Sequence, residues 1–160
     1  MRHQETGVHA ATAHRSNGGF SLIELLLSLV VIGIITAILI PNMLNSLDKS
    51  RQKRTMADIR GMATSIETYS VDNGFYPTGT GIGTLDVLAP EYSQEVIQLD
   101  AWNHELIYDG STAYYSFGSP GKDGGSTLVL TGGGGATQSF NDDIIFAIGQ
   151  FVQWPEGSQE

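Results

Sequence analysis

Gly18-Gly19-Phe20-Ser21-Leu22-Ile23-Glu24-Leu25 opens the stretch that decides the fold: from Phe20 to Ile40, Glu24 is the one charged residue among 21, and most of the rest are Leu, Ile and Val. About 20 residues at ~1.5 Å each cover a hydrocarbon core of about 30 Å, so the run is long enough to cross a bilayer as a helix. It shows neither alternation nor turn signals, which argues against a buried helix in a chain of 160 residues. The 19 residues before it carry Arg2, Arg15 and three histidines, hold little that is apolar, and end in two glycines. An ordinary secretory signal is cut after its apolar stretch. Here the small residues precede the stretch, so residues 1–19 read as a leader whose removal leaves the apolar run on the mature chain. Arg2 and Arg15 against Glu5 favour a cytoplasmic leader, whereas the bases from Lys49 to Arg60 pull the other way, so charge alone does not orient the span.

Glu24 is out of place in hydrocarbon, at a cost of about 2.5–3.5 kcal/mol at a helix centre and less near an end. Two readings are open. Its carboxylate snorkels to the headgroups, or it pairs with the free amine that a cut before Phe20 would create, one helical turn away or on a neighbouring copy.

Nothing in the residues after Ile40 stops the helix. Pro41 removes a backbone donor and predicts a kink or local unwinding near residues 37 to 41, with Gly33 as a second helix-weakening position. Beyond Leu44 the pattern turns amphipathic, with Ile59, Met62, Ala63, Ile66 and Tyr69 forming a stripe suited to packing on a sheet. Asn73-Gly74 supplies a stop. A helix over residues 20–73 would be about 80 Å long, longer than a domain of this size can bury, so part of it must project. Its 20–40 half is the candidate transmembrane and assembly segment. Residues 74–160 form the remaining globular domain: a connector over 75–98 with a short helix around Leu85, Val87 and Leu88, then strands at Glu105–Tyr108, Ala113–Phe117, Thr127–Thr131 and Ile144–Val152, with Asp109-Gly110 as a hairpin turn. The expected fold class is α+β, a long N-terminal helix laid on an antiparallel sheet of three or four strands.

Residues 49–60 hold five bases (Lys49, Arg51, Lys53, Arg54, Arg60) and one acid, Asp58, a cluster that reads either as a solvated face near anionic headgroups or as an inter-subunit contact. From Gly61 onward there are thirteen acids against Lys122 alone, a net charge of -12 that argues against a nucleic-acid interface. With no cysteine, disulfides, thiolate zinc sites and cysteine nucleophiles are excluded as well. Gly132–Gly135 lacks the Lys-Ser/Thr ending of a phosphate loop and reads as a flexible loop. His104 is the one histidine outside the leader and no nucleophile motif accompanies it, so no enzymatic role is expected. Ser119-Pro120-Gly121-Lys122-Asp123-Gly124 and Asn141-Asp142-Asp143 are oxygen-rich; taken alone they read as turns or as ligands for a hard cation.

The Gly18-Gly19-Phe20-Ser21-Leu22-Ile23-Glu24-Leu25 signature resembles the cleavage and methylation site of type IV prepilins and of the pseudopilins of type II secretion. The resemblance implies a cut by a prepilin peptidase between Gly19 and Phe20, N-methylation of Phe20, and a Glu24 that aligns and neutralises an incoming subunit. It also implies a helix loosened between Gly33 and Pro41 in an assembled filament. Downstream, Leu99-Asp100-Ala101-Trp102-Asn103-His104-Glu105-Leu106-Ile107-Tyr108, then Tyr115, Ser119, Gly121, Asp123-Gly124 and Asp143-Ile144, is similar to the second half of the major, G-type pseudopilin. In that family the Ser-x-Gly-x-Asp-Gly loop binds calcium, which implies ligands at Asp123, Asp143 and the backbone carbonyl of Pro120. The chain departs from the family at Ala101, Asn103 and Glu105, and the stretch between Asp123 and Asp143 is longer than is usual.

The expected function is a structural subunit of a type II secretion pseudopilus, a homopolymer that drives export across the outer membrane. The resemblance implies an inner-membrane assembly platform, minor pseudopilins and membrane lipid as further partners, and a single-pass inner-membrane protein with its C-terminal domain in the periplasm of a Gram-negative bacterium. A surface type IV pilus for adhesion, motility or DNA uptake, hence extracellular, is the alternative built on the same helix; a membrane-tethered hydrolase or ligand-binding domain is the third. Lack of cysteine and the Asp123-Gly124…Asp143-Ile144 pattern favour the pseudopilin.

Overall fold

A computed structural model describes residues 19–125 and 134–159. The leader through Gly18 and the strand expected at Thr127–Thr131 lie outside those residues. The chain divides into two compact units, one ending at Ile40 and the other spanning Pro41–Glu160.

Helix α1 runs from Leu22 to Asn73 with Pro41 inside it. In the first unit its apolar residues are exposed, and this helix is long and apolar enough to cross a membrane. Helical backbone continues through Gly33 and Pro41, so of the kink or local unwinding expected near residues 37 to 41 the unwinding is absent. Proline withholds a single N–H from the carbonyl four residues back, and one missing bond does not open a helix of 52 residues whose neighbouring bonds remain.

In the second unit, Asn73 ends α1 and its amide donates to the Tyr69 carbonyl at 2.9 Å. Strand β1 (Gly79–Thr80) and a 3₁₀ helix (Ile82–Leu88) follow, the latter where Leu85 and Leu88 predicted a short helix. Then come β2 (Ile107–Gly110), β3 (Tyr115–Ser119), β4 (Gly135–Thr137), β5 (Ile144–Ala147) and β6 (Gln150–Pro155). They form one six-stranded sheet in the order β1-β2-β3-β5-β6-β4, antiparallel except where β4 runs parallel to β6.

The sheet corrects three sequence expectations. Among the described residues it has six strands rather than three or four, because Gly79–Thr80 adds a strand, the Gly-rich run ends in another and the apolar stretch from Ile144 is two. Ile148 and Gly149, both at positive φ (46° and 81°), turn the chain between β5 and β6. Asp109-Gly110 is not a hairpin turn but the end of β2, where Gly110 pairs with Tyr115 and the chain reverses over Ser111–Tyr114. Glycine is needed at 110 for close approach, since a Cβ there would collide with the Pro77 carbonyl and the Tyr108 hydroxyl.

The core lies between α1 and the sheet. Ile59, Met62, Ala63 and Ile66 of the expected stripe are buried and Tyr69 packs against them half-buried; the sheet contributes Tyr108, Tyr115, Phe117, Ile144 and Phe146. The two fully buried phenols keep their hydrogen bonds: Tyr108 donates to the Pro77 carbonyl at 2.6 Å and Tyr115 to Glu67 Oε1 at 2.8 Å. Burial pushes both phenols well above the ordinary tyrosine range, and Glu67 raises Tyr115 further. Because the folded state holds them neutral, their contribution is complete below an ordinary pKa of 10.0 and is lost as pH rises above it. Alkaline titration of the Pro41–Glu160 unit should therefore show two tyrosines that ionise only with unfolding. Ile66→Ala should lower the stability of the same unit by about 2–4 kcal/mol in urea, whereas Val71→Ala, at an exposed position, should change it by less than about 0.5 kcal/mol.

Candidate functional site

At the start of α1, Phe20 is 77% exposed and the Ser21 carbonyl accepts the N–H groups of Glu24 at 3.0 Å and Leu25 at 3.2 Å. Glu24 thus lies in the first turn, with its charge near the positive end of the helix dipole. Ser21 and Glu24 also stand at the Ser-x-x-Glu spacing of a capping box. Gly33 is surrounded by open space.

In the second unit the buried stripe of α1 continues toward Pro41 as Asp48, Gln52 and Thr55, which are polar yet no more than 5% exposed. Each is satisfied from outside the helix. Lys122 Nζ lies 2.8 Å from Asp48 Oδ2, Trp102 Nε1 donates to Asp48 Oδ1 at 3.2 Å, and Arg51 approaches the same oxygen at 3.3 Å. Thr55 Oγ1 accepts the Ala101 N–H at 3.1 Å, and Gln52 donates to Gln159 Oε1 at 3.2 Å. Burial alone would raise the Asp48 pKa; the hydrogen bonds from Lys122 and Trp102 and the charges of Lys122 and Arg51 outweigh it and hold the carboxyl below its ordinary value.

Asp100 organises the neighbouring loop. Its Oδ1 accepts the N–H groups of Trp102 and His104, both at 2.9 Å, and its Oδ2 accepts the Ser119 hydroxyl at 2.6 Å. Ser119 Oγ in turn accepts the Gly121 N–H at 3.1 Å, and His104 Nδ1 lies 2.9 Å from the Gly121 carbonyl. Ser119 is fully buried and bonded on both sides, so it is a brace between two loops rather than a nucleophile. The Ser119–Gly124 loop also meets the 139–143 segment. Lys122 N–H donates to the Phe140 carbonyl at 2.8 Å. Gly121, at φ 74°, sits where a Cβ would come within 2.7 Å of the Asn141 and Asp142 carbonyls. The structure thus brings the Pro120–Asp123 loop and the Asp143 segment together. Asp123 is exposed and its Oδ1 accepts the Gly125 N–H at 3.0 Å; Asp143 is half-buried just before β5. No group of three or more His, Cys, Asp or Glu side chains gathers around a metal-sized space among the described residues. The Asn141 and Asp142 carbonyls beside Gly121 are oxygen donors, a type that suits a hard cation in preference to zinc.

The profile of the family described as type II secretion system (T2SS), protein G matches residues 42–143, more than half of the chain. The chain belongs to this family. The prokaryotic N-terminal methylation motif matches residues 14–40. The type II secretion system core protein G of Escherichia coli K12 is 29% identical over 120 residues, covering 66% of this chain and 82% of that protein. The protein of the same name from Dickeya chrysanthemi is 29% identical over 133 residues (81% and 86%), and that from Vibrio cholerae is 25% identical over 127 residues (69% and 86%).

For this protein G family member, the sequence pattern located the two loops but not what ties them to α1. Asp48 and Lys122 are 74 residues apart; Asp48 belongs to no apolar stripe or motif, and Lys122 fills a variable position of the Ser-x-Gly-x-Asp-Gly loop. A buried polar position at stripe spacing, Asp48-x3-Gln52-x2-Thr55 leading into Ile59, was the available signal. Asp48→Ala would leave Lys122 and the Trp102 indole without this partner and should destabilise the Pro41–Glu160 unit by about 1–3 kcal/mol. Since the Asp48 pKa is lowered by folding, its contribution is present above the ordinary value of 3.8 and is lost as pH falls below it. The gap between wild type and Asp48→Ala in urea titrations should accordingly narrow on acidification through that range.

Proposed function

We propose that this chain is the major structural subunit of a type II secretion pseudopilus, made as a precursor and polymerised through α1. The observation that carries the reading is the combination of the protein G match over residues 42–143 with a methylation motif that ends at Ile40, where the first compact unit with its exposed apolar helix also ends. Residues 1–19 are the leader, 20–73 the assembly helix with its transmembrane half over 20–40, and 74–160 the periplasmic domain. A prepilin peptidase cuts between Gly19 and Phe20 and methylates Phe20. Glu24 then offers a carboxylate to the new ammonium of a neighbouring copy, a pairing favoured in hydrocarbon where neither charge is stable alone. The subunit waits in the inner membrane and is passed by the assembly platform into a homopolymer capped by minor pseudopilins. The family match favours this over a surface pilus.

Calcium is the cation we propose for the loop junction, held by Asp123, Asp143 and the Pro120 carbonyl. Bound there, it would offset the repulsion among acids of a domain that carries no disulfide.

Mass spectrometry of the mature protein should give an N-terminus at methylated Phe20; any other terminus overturns the processing. Glu24→Ala should cut incorporation into filaments roughly tenfold or more, the equivalent of about 1.4 kcal/mol, without changing cleavage. Millimolar calcium should raise the melting temperature of the Pro41–Glu160 unit by several degrees over EDTA, and Asp123→Ala should abolish the difference.

A further inference from the structure

Three bases of the second unit share one edge of α1 and three acids lie beside the other; Arg51 and Arg54 also face that second edge, each paired with an acid of its own helix. At ~100° per residue, Lys49, Lys53 and Arg60 fall within ~40° of one another and about 80–120° to one side of the buried Ile59. Contacts confirm the side: the Arg60 guanidinium lies 5.3 Å from the Phe151 ring centre, and Lys49 and Lys53 line a cleft with Pro155, so this edge is the β6 edge. Ser65 and Tyr69 fall about 80–120° to the other side of Ile59. There Ser65 Oγ donates to the Tyr92 carbonyl at 3.0 Å and the Tyr69 and Tyr92 rings meet edge-on at 5.4 Å. This second edge carries Glu91 beside Tyr92, and nearby Asp86 and Glu95 line a groove of about 700 Å³ floored by Val96.

All six charged residues are exposed, and none of the ion pairs among the described residues uses them. The other bases of the cluster are engaged at home, Arg51 with Asp48 and Arg54 with Asp58. A unit with a basic edge and an acidic edge is complementary to itself only when one copy's first edge meets the next copy's second edge. That is a heterologous contact, the kind that propagates into an open helix instead of closing a dimer.

We propose that Lys49, Lys53 and Arg60 of one copy dock against Asp86, Glu91 and Glu95 of the next, setting the order of subunits along the polymer. This rests on the filament reading above. The chain has no cysteine, so disulfide cross-linking can test it in the full-length protein in cells that assemble it. Lys53→Cys and Glu95→Cys in one chain should give a ladder of oligomers on oxidation, with neither single variant doing so. Lys53→Glu with Arg60→Glu should reduce polymer yield about tenfold, and adding Glu91→Lys with Glu95→Lys should restore most of it. Fibres visible by electron microscopy without a ladder, or a yield indifferent to both reversals, overturn the edge pairing and leave the filament reading intact; this includes the case in which the basic edge binds anionic lipid instead. Absence of fibres from the wild-type chain overturns both.

Discussion

Everything in the second unit depends on one stripe of α1 being taken out of water by the sheet. The stripe changes chemistry along its length. Toward the C-terminal end of the helix Ile59, Met62, Ala63 and Ile66 supply hydrocarbon, and toward Pro41 Asp48, Gln52 and Thr55 supply hydrogen-bonding groups. The apolar part drives association with Tyr108, Tyr115 and Phe117. The polar part adds little net free energy per bond, but each group is costly if left unpaired, so it dictates which loops must come to the helix. Lys122, Trp102, Ala101 and Gln159 are those answering partners.

The division of labour explains what was legible in the sequence. The apolar run from Phe20 and the Ile59–Tyr69 stripe could be read because hydrophobic periodicity is a local signal. The 3₁₀ helix at Leu85 and Leu88 was legible for the same reason. Asp48, Gln52 and Thr55 were not, because a polar residue on a helix reads as solvent-facing until a partner 46 to 107 residues away is known. Asp109-Gly110 misled because its glycine serves a close approach to Pro77 rather than a turn. The break at Ile148-Gly149 was hidden inside an apolar stretch, where a turn built on a β-branched residue leaves no compositional trace.

The same network holds the Asp100–Glu105 loop. Asp100 gathers two backbone N–H groups and the Ser119 hydroxyl, and Asn103 takes a positive φ of 72°, a conformation asparagine tolerates where glycine is more usual. The loop geometry is thus held by a carboxylate and a left-handed backbone position. The Ser119 hydroxyl ties this loop to the Ser119–Gly124 loop.

The polar end of the stripe also acts as an indexing device. A purely aliphatic helix face can slide along a sheet by one turn, about 5.4 Å, and still find hydrocarbon opposite each side chain. Here such a slip would carry Asp48 away from Lys122 and Trp102, Thr55 from Ala101 and Gln52 from Gln159 at one stroke. The sheet is therefore clocked to a single axial position on its helix. If tension is applied along α1, the second unit should resist by shearing four directional bonds together rather than by creeping along a greasy track.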